Sequence, residues 1–355
     1  MSFHPRLARL PFSIRGACQA HSSKGISVKT QRWKFRSVVI AGATSACISA
    51  MGTAQAAWPA DQPIRIIVPQ AAGGTNDTAA RLVAVELGKA LNQSVVVENR
   101  PGASGAIGMQ AAVQSRPDGY TLAIASDTAT ILNAVRSDMP WQFKRDLTGV
   151  SMIADQPIVV AASARSPYKS LANLLEAAKE KPGSIAFGTS GLGTSQQVAG
   201  EWLAREAGVQ MTHVPYKGGG QAITDLVGNQ VPAAVLGLAP VIGQYRSGNV
   251  RILALTSENR NAELPDVPTL RELGYKDIVL TQWVGLVAPK RTPPEIVQRL
   301  SGEVARILAQ PEIVRKLKES GLDVRPMPAA QFDVFLARTV DQWQHLISTL
   351  SLRLE

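Results

Sequence analysis

Groups able to do chemistry are concentrated in four short stretches where small residues meet hydroxyl, amide or charged side chains. The first is Val68-Pro69-Gln70-Ala71-Ala72-Gly73-Gly74-Thr75-Asn76-Asp77, between an apolar run and a helical pattern. Glycine lets a backbone approach a bound group without a Cβ in the way. Free amides at a helix start favour an anion. Ala72, Gly73, Gly74, Thr75 and Asp77 are the candidates here, and Thr75 or Asn76 can cap the helix. The second stretch, Gly188-Thr189-Ser190-Gly191-Leu192-Gly193-Thr194-Ser195, has the same placement and four hydroxyls. Serine and threonine donate to carboxylate oxygens without bringing formal charge, which selects Ser190, Gly191, Gly193, Thr194 and Ser195. In the third, Val214-Pro215-Tyr216-Lys217-Gly218-Gly219-Gly220, Lys217 offers positive charge, Tyr216 a ring face and a hydroxyl, and Gly218 backbone access. The fourth is Ser126-Asp127-Thr128, at the end of an apolar strand, the edge where open α/β sheets bind ligands. Asp127 repels a carboxylate unless it meets an amine, a water or a helix start, and reads equally as a cap. Each stretch alone also fits a plain strand-to-helix turn, and Lys217 a solvated lysine. One such turn in each half of the chain is more specific: opposed helix starts across a cleft suit the carboxylates of one ligand.

Signatures of catalysis are poor. There is no Gly-x-Ser-x-Gly elbow and no Gly-x-x-x-x-Gly-Lys-Ser/Thr loop. Gly191-Leu192-Gly193 lacks the third glycine of a dinucleotide fingerprint, and no paired carboxylates stand out. The two cysteines, Cys18 and Cys47, precede residue 57; beyond it His213 and His345 stand alone, as surface or packing residues. The expectation is a chain without metal, disulfide or cofactor, and not an enzyme.

These turns need elements to position them. Beyond residue 57, short apolar strand-type runs alternate with helical patterns, the mark of an α/β fold with largely parallel sheets. Strands are predicted at 64–69, 95–98, 121–125, 185–189, 213–216, 231–236, 251–256 and 283–288. Helices are predicted near 77–91, 105–115, 171–180, from 195 through 207, 220–227, from 293, and near 311–319 and 329–348. Ser170 opens the helix at 171, and Pro293-Pro294-Glu295 form a first turn. Two strand-turn-helix series imply two lobes: 58–155 plus 281–355, and 156–280. Two crossings, near 150–165 and 275–290, make a hinge.

The chain has 355 residues and a net charge of +10. Residues 1–57 hold eight basic side chains and no acidic one, which leaves 29 basic against 27 acidic residues in the remainder. The basic excess belongs to this segment, so the case for nucleic acid falls away. Arg32-Trp33-Lys34-Phe35-Arg36, the apolar run Val38 to Ile48, and Ala54-Gln55-Ala56 read as a secretory signal cleaved near Ala56/Ala57. The apolar run is too short for a span of ~20 residues. Residues 1–30 add nothing a signal needs, so the true start is expected downstream of Met1. Thr44-Ser45-Ala46-Cys47 lacks the leucine of an acylation site, which argues against lipidation.

Several ordered strings complete the picture: Trp58-Pro59, Pro63 to Pro69, Gly73-Gly74-Thr75-Asn76-Asp77 with Ala80-Arg81, and Val96-Val97-Glu98-Asn99-Arg100-Pro101-Gly102-Ala103 with Gly105. Pro117-Asp118-Gly119-Tyr120-Thr121-Leu122, Gly193-Thr194-Ser195, His213 to Gly218 and Leu264-Pro265-Asp266-Val267-Pro268-Thr269 follow. Together they resemble the solute-binding proteins of the tripartite tricarboxylate transporter family, the Bug proteins, over nearly all of the chain after Trp58. The resemblance implies a periplasmic, two-lobed binding protein of type II topology, two doubly wound sheets joined by a hinge. It implies a small carboxylate ligand (dicarboxylic, tricarboxylic, aromatic or amino acid), a monomer, and two membrane subunits of a secondary transporter as partners. The loop matching Gly73–Asp77, the Ser190–Ser195 loop and the segment after Tyr216 would grip the ligand. Two departures matter. Where relatives often carry Asp, Leu236 closes its strand before Gly237, which disfavours an amino acid and favours an apolar or aromatic acid. Asp127 pulls the other way, in a loop usually rich in serine, glycine and threonine; Gln70-Ala71-Ala72 replaces a Pro-rich turn. Signalling to a membrane kinase, or turnover of a carboxylated metabolite, are the alternatives to transport.

Overall fold

The computed structural model describes residues 58–59 and 62–352; the segment read as a secretory signal, its expected cleavage site and both cysteines lie outside the described residues. The first half runs β1 (Ile64–Val68), α1 (Thr75–Leu91), β2 (Val95–Asn99), α2 (Ala106–Val113), β3 (Thr121–Ser126), α3 (Asp127–Val135), α4 (Phe143–Asp146) and β4 (Leu147–Ser163). Next come α5 (Leu171–Glu180), β5 (Ala186–Thr189), α6 (Ser195–Glu206), β6 (Thr212–Pro215), α7 (Gly219–Val227), β7 (Ala233–Gly237), α8 (Leu238–Arg246) and β8 (Val250–Leu255). The chain ends with β9 (Thr281–Pro289), α9 (Pro294–Leu308), α10 (Pro311–Glu319), β10 (Asp323–Pro328) and α11 (Ala329–Leu350).

One long strand organises the rest. From Leu147 to Pro157, β4 pairs antiparallel with β9, and β10 joins its other side. From Ile158 onward it pairs antiparallel with β7 and β8. The two halves of β4 therefore serve two sheets. The first has the order β2-β1-β3-β9-β4, with β1 parallel to both neighbours; the second has β4-β7-β5-β6, with β5 parallel to both. This is the two-lobed α/β arrangement of type II topology. The chain leaves the first sheet at Pro157–Ile158 and re-enters it at Thr281, directly opposite Pro157. The Thr256 hydroxyl ties both crossings, accepting from the Ile158 amide (3.1 Å) and donating to the Leu280 carbonyl (2.6 Å).

Both faces of each sheet are covered, which is why the strands read as continuous apolar runs. In the first sheet, Ile64, Ile66 and Val68 pack under α1 and α9, while Ile67, Ala123 and Ala125 face α2, α3 and α11. In the second, Val160, Ala233 and Val235 pack under α5 and α6, while Val159, Ala234 and Leu236 pack under α7 and α8. A small cluster of Ile131, Val198, Trp343 and Ile347 joins α3, α6 and α11.

Sequence reasoning missed α3, α4, α8, β4 and β10. In β4 the polar Asp155-Gln156-Pro157 interrupts the apolar pattern and reads as a linker; pairing with β9 keeps the strand extended across it. In β10 the sequence Asp-Val-Arg-Pro-Met-Pro reads as loop, yet prolines are tolerated on an edge strand. The expected caps also shift: Gly74 precedes α1, which starts at Thr75, and Ser126 precedes α3. Ser170 caps α5 as expected, accepting from the Asn173 amide.

Candidate functional site

Every candidate turn lies where the two sheets face each other. The turns after β1 and β6 meet backbone to backbone: the Ala71 amide donates to the Lys217 carbonyl across the cleft (3.2 Å). A Cβ on Gly74 would stand 3.5 Å from the Gly219 nitrogen, and one on Gly220 would overlap the Ala72 carbonyl. The glycines therefore permit one turn to approach the other, where the sequence suggested approach to a bound group. Gly73, at φ +81°, also occupies a conformation other residues rarely adopt. The starts of α1 and α7 are thus brought nose to nose, and α1, α3 and α7 all begin without a side-chain cap. Each start leaves amides that its own helix does not use.

Beneath the rim lies a buried polar cluster centred on three glutamines that sequence reasoning did not select. Gln156 and Gln282 are register partners on the crossing strands, and the Gln156 Nε2 donates to Gln282 Oε1 (2.9 Å) and to Thr75 Oγ1 (2.7 Å). Gln156 Oε1 accepts from the Ala239 amide in the first turn of α8 (2.8 Å). Gln196, on α6, donates to Gln282 Oε1 (3.2 Å) and accepts from the Ser190 amide and hydroxyl (2.9 and 2.5 Å). Gly237 closes β7 against this pair, and a Cβ there would overlap both Gln156 and Gln282. In the sequence Gln156 sits in the polar Asp155-Gln156-Pro157 and Gln282 follows Thr281 at the head of an apolar run, so neither stood out.

The candidates then separate by what their atoms are already doing. Thr189, Ser190 and Thr194 spend their hydroxyls within the loop: Thr194 on the Gly191 carbonyl and the Gln197 amide, Thr189 on the Gly191 carbonyl. The Gly193 amide is taken by Gln197 Oε1 (2.7 Å). Ser195 alone of the four hydroxyls is buried without a partner. Asp77 is a brace: its carboxylate accepts from the Gly73 amide, Arg81 and Asn99, each at 3.0 Å. Burial raises its pKa, and the bonds from Arg81, Gly73 and Asn99 more than offset that, holding it below the usual carboxylate range. It does not face a ligand, because its acceptors are used to fix the 70–77 turn. Tyr216 sends its hydroxyl to Asp225 (2.8 Å), and its pKa is pushed up to about 12 by burial and by that carboxylate. With Gln70, Ser190, Gly191 and Lys217 it lines a rim cavity of about 210 Å³. Lys217, Ala72 and Gly73 are exposed at this rim, and Gly218 packs against Ala71.

Leu236 is a correction. Its side chain is wholly buried among Ala222, Leu238 and Val241 under α7 and α8. It is a core residue, so its apolar character says nothing about the ligand.

Five atoms remain buried and unpartnered in the cluster: Asn76 Oδ1, both Asp127 carboxylate oxygens, Thr128 Oγ1 and Ser195 Oγ. Asn76 donates to Ser126 (3.4 Å), which places it beside the Asp127 turn. Burial pushes Asp127 up to about 7, against the Ser195 hydroxyl, the Thr128 and Asp127 amides and Gln282, which pull it down. These bonds fall outside normal hydrogen-bond geometry, so burial prevails. On the second sheet, burial lowers His213 to about 4; its ring meets the Thr189 hydroxyl (2.7 Å) and stacks near Phe187. Among the described residues no group of three or more His, Cys, Asp or Glu is placed to hold a metal, and no helix is long and apolar enough to cross a membrane.

Two doubly covered sheets, joined by two crossing strands and enclosing a polar cluster between opposed helix starts, define a two-lobed α/β solute-binding protein. The family model of the tripartite tricarboxylate transporter family receptor matches residues 79–352. The chain belongs to this family, whose members are periplasmic solute-binding proteins and not enzymes. Protein BugT of Bordetella pertussis is 34% identical over 300 residues, 84% of this chain and 92% of BugT. A Rhodopseudomonas palustris protein solved with adipate is 30% identical with a TM-score of 0.79, covering 82% of this chain and 98% of its own. MatC from Rhodopseudomonas palustris, solved with bound malate, is 28% identical with a TM-score of 0.76, covering 81% and 99%.

Proposed function

We propose that this protein is an exported receptor that captures a small carboxylate by closing its two lobes and hands it to a membrane transporter. The observation that carries this reading is the meeting of uncapped helix starts from the two lobes, beside buried polar atoms that have no partner. Leaving such atoms unpaired costs roughly 1–3 kcal/mol each, so a ligand that pairs them gains affinity only when both lobes surround it. That difference between open and closed states is what drives closure. A carboxylate fits because amides at helix starts favour anions, and relatives solved with adipate and malate support the class. The basic, apolar and small-residue order of residues 32–56 supports export. The site residues of this reading are Gly73, Gly74, Thr75, Asn76, Asp127, Thr128, Ser190, Ser195, Gly218 and Gly237, with Gln156, Gln196 and Gln282 behind them.

Calorimetry against mono-, di- and aromatic carboxylates should find a micromolar binder, about −8 kcal/mol. Gly220→Ala places a Cβ on the Ala72 carbonyl and should weaken that binder at least tenfold with an unchanged circular dichroism spectrum. Undiminished affinity in Gly220→Ala would show that capture does not need these turns to meet.

A further inference from the structure

Between the lobes lies a buried carboxylate for which the described residues supply no cation. Asp127 is 0% exposed, and neither of its oxygens has a hydrogen-bond partner at normal geometry. The groups near enough to act on it are all neutral: the Ser195 hydroxyl, the amides of Thr128 and Asp127, and the Gln282 side chain. Arg81, the cation of the same wall, is committed to Asp77 at 2.9 Å. A buried, uncompensated carboxylate is costly and is normally paired.

The character of the other orphan atoms points the same way. Asn76 uses its Nδ2 on Ser126 and leaves Oδ1, which can only accept. Three of the five orphans are therefore acceptors only, if Asp127 is ionised. The two hydroxyls, on Thr128 and Ser195, accept as readily as they donate. Such a set attracts a cation with several N–H groups and repels a second carboxylate. The uncapped starts of α1 and α7, facing one another across the same cleft, supply the opposite character. One end of the site therefore suits an anion and the other a cation.

We propose that Asp127, with Asn76, receives the ammonium group of an amino carboxylate, so that the captured solute is a zwitterion. This rests on the carboxylate-capture reading and narrows it. It also reverses the inference from Leu236, whose side chain is in the core. The competing use of Asp127, as a protonated acid donating to a ligand carboxylate, makes the deaminated acid the better ligand.

The test uses matched pairs: L-glutamate with glutarate, L-aspartate with succinate, and L-phenylalanine with 3-phenylpropanoate. The mature chain is unfolded, dialysed and refolded to remove carried-over solute, then titrated by calorimetry at pH 8. At least one amino acid should bind 100-fold or more tightly than its deaminated partner. Asp127→Asn should shrink that preference by 30-fold or more, mainly by weakening the amino acid, because truncating one side of a buried charge pair is costly. If the deaminated member binds as well or better wherever binding is seen, the zwitterion is refuted while carboxylate capture stands. A preference that survives Asp127→Asn also refutes it. Silence from both members of every pair overturns this inference and the capture reading together.

Discussion

Replacing Asp127 with asparagine should stabilise the ligand-free protein, and by an amount that depends on pH. The substitution keeps the shape of the side chain and removes its ionisation. Burial moves Asp127 from an ordinary 3.8 to about 7 in the folded protein. Between those values the folded chain holds a proton that the unfolded chain has released, so stability falls as pH rises through this window and levels off above pH 7. At 1.36 kcal/mol per pH unit the full penalty at pH 8 is on the order of 4 kcal/mol. Any opening of the cleft rehydrates the carboxylate, which makes this figure a ceiling. Urea unfolding of wild type and Asp127→Asn at pH 4, 6, 7 and 8 measures it. The gain from the substitution should be smallest at pH 4, grow through pH 6 and plateau near pH 8. His213 costs stability in the other direction, as pH drops from 6.5 toward 4, and half-buried Glu201 on α6 acts with Asp127. Neither is altered by the substitution, so both cancel in the difference. A gain that does not change with pH would mean that Asp127 ionises without penalty and would refute the picture of an uncompensated buried charge.

Two further perturbations separate braces from binding groups. Asp77→Ala removes the acceptor of the Gly73 amide, Arg81 and Asn99 and should cost about 2–3 kcal/mol in urea unfolding; a loss under about 0.5 kcal/mol would mean the turn is held by other contacts. Gln156→Leu leaves the Ala239 amide and Thr75 without their partner at the crossing and should cost about 2–4 kcal/mol, seen as a lower urea midpoint. If Gln156→Leu is as stable as wild type, the glutamine pair does not hold the crossing strands.

How much of this was legible depended on the range of the interaction. Ser170 as the cap of α5 and Pro294 in the first turn of α9 are settled within a few residues, and both were read correctly. Helix α3 starts in the same Ser-Asp-Thr stretch that was singled out for chemistry, but no periodic apolar face announced it. The glutamines were overlooked because Gln156 lies in a polar stretch that reads as a linker and Gln282 at the mouth of a strand, and neither looks structural until its partner is known. Gln156 and Gln282 lie far apart in the chain and meet only because β4 and β9 pair in one register. Leu236 shows the opposite failure. Its place at a strand end suggested a ligand contact, whereas the alternation of β7 turns it toward α7 and α8 and leaves Gly237 against the glutamine pair.

From composition and local pattern the chain determined its α/β class, the positions of its glycine-bearing turns and the family to which it belongs, because glycine, helix starts and apolar periodicity act over short stretches. Only the tertiary structure decided which of the candidate atoms are already spent and which are left over. Asp77 and Asp127 each lie in the first turn of a helix after a strand, but one helical turn further on Asp77 has Arg81 where Asp127 has Ile131. Arg81 and the distant Asn99 fold onto the first, and among the described residues no cation acts on the second. The Arg81 pair is local; that nothing elsewhere in the described fold compensates Asp127 is a property of neighbours in space, and it leaves one aspartate a brace and the other buried without a partner.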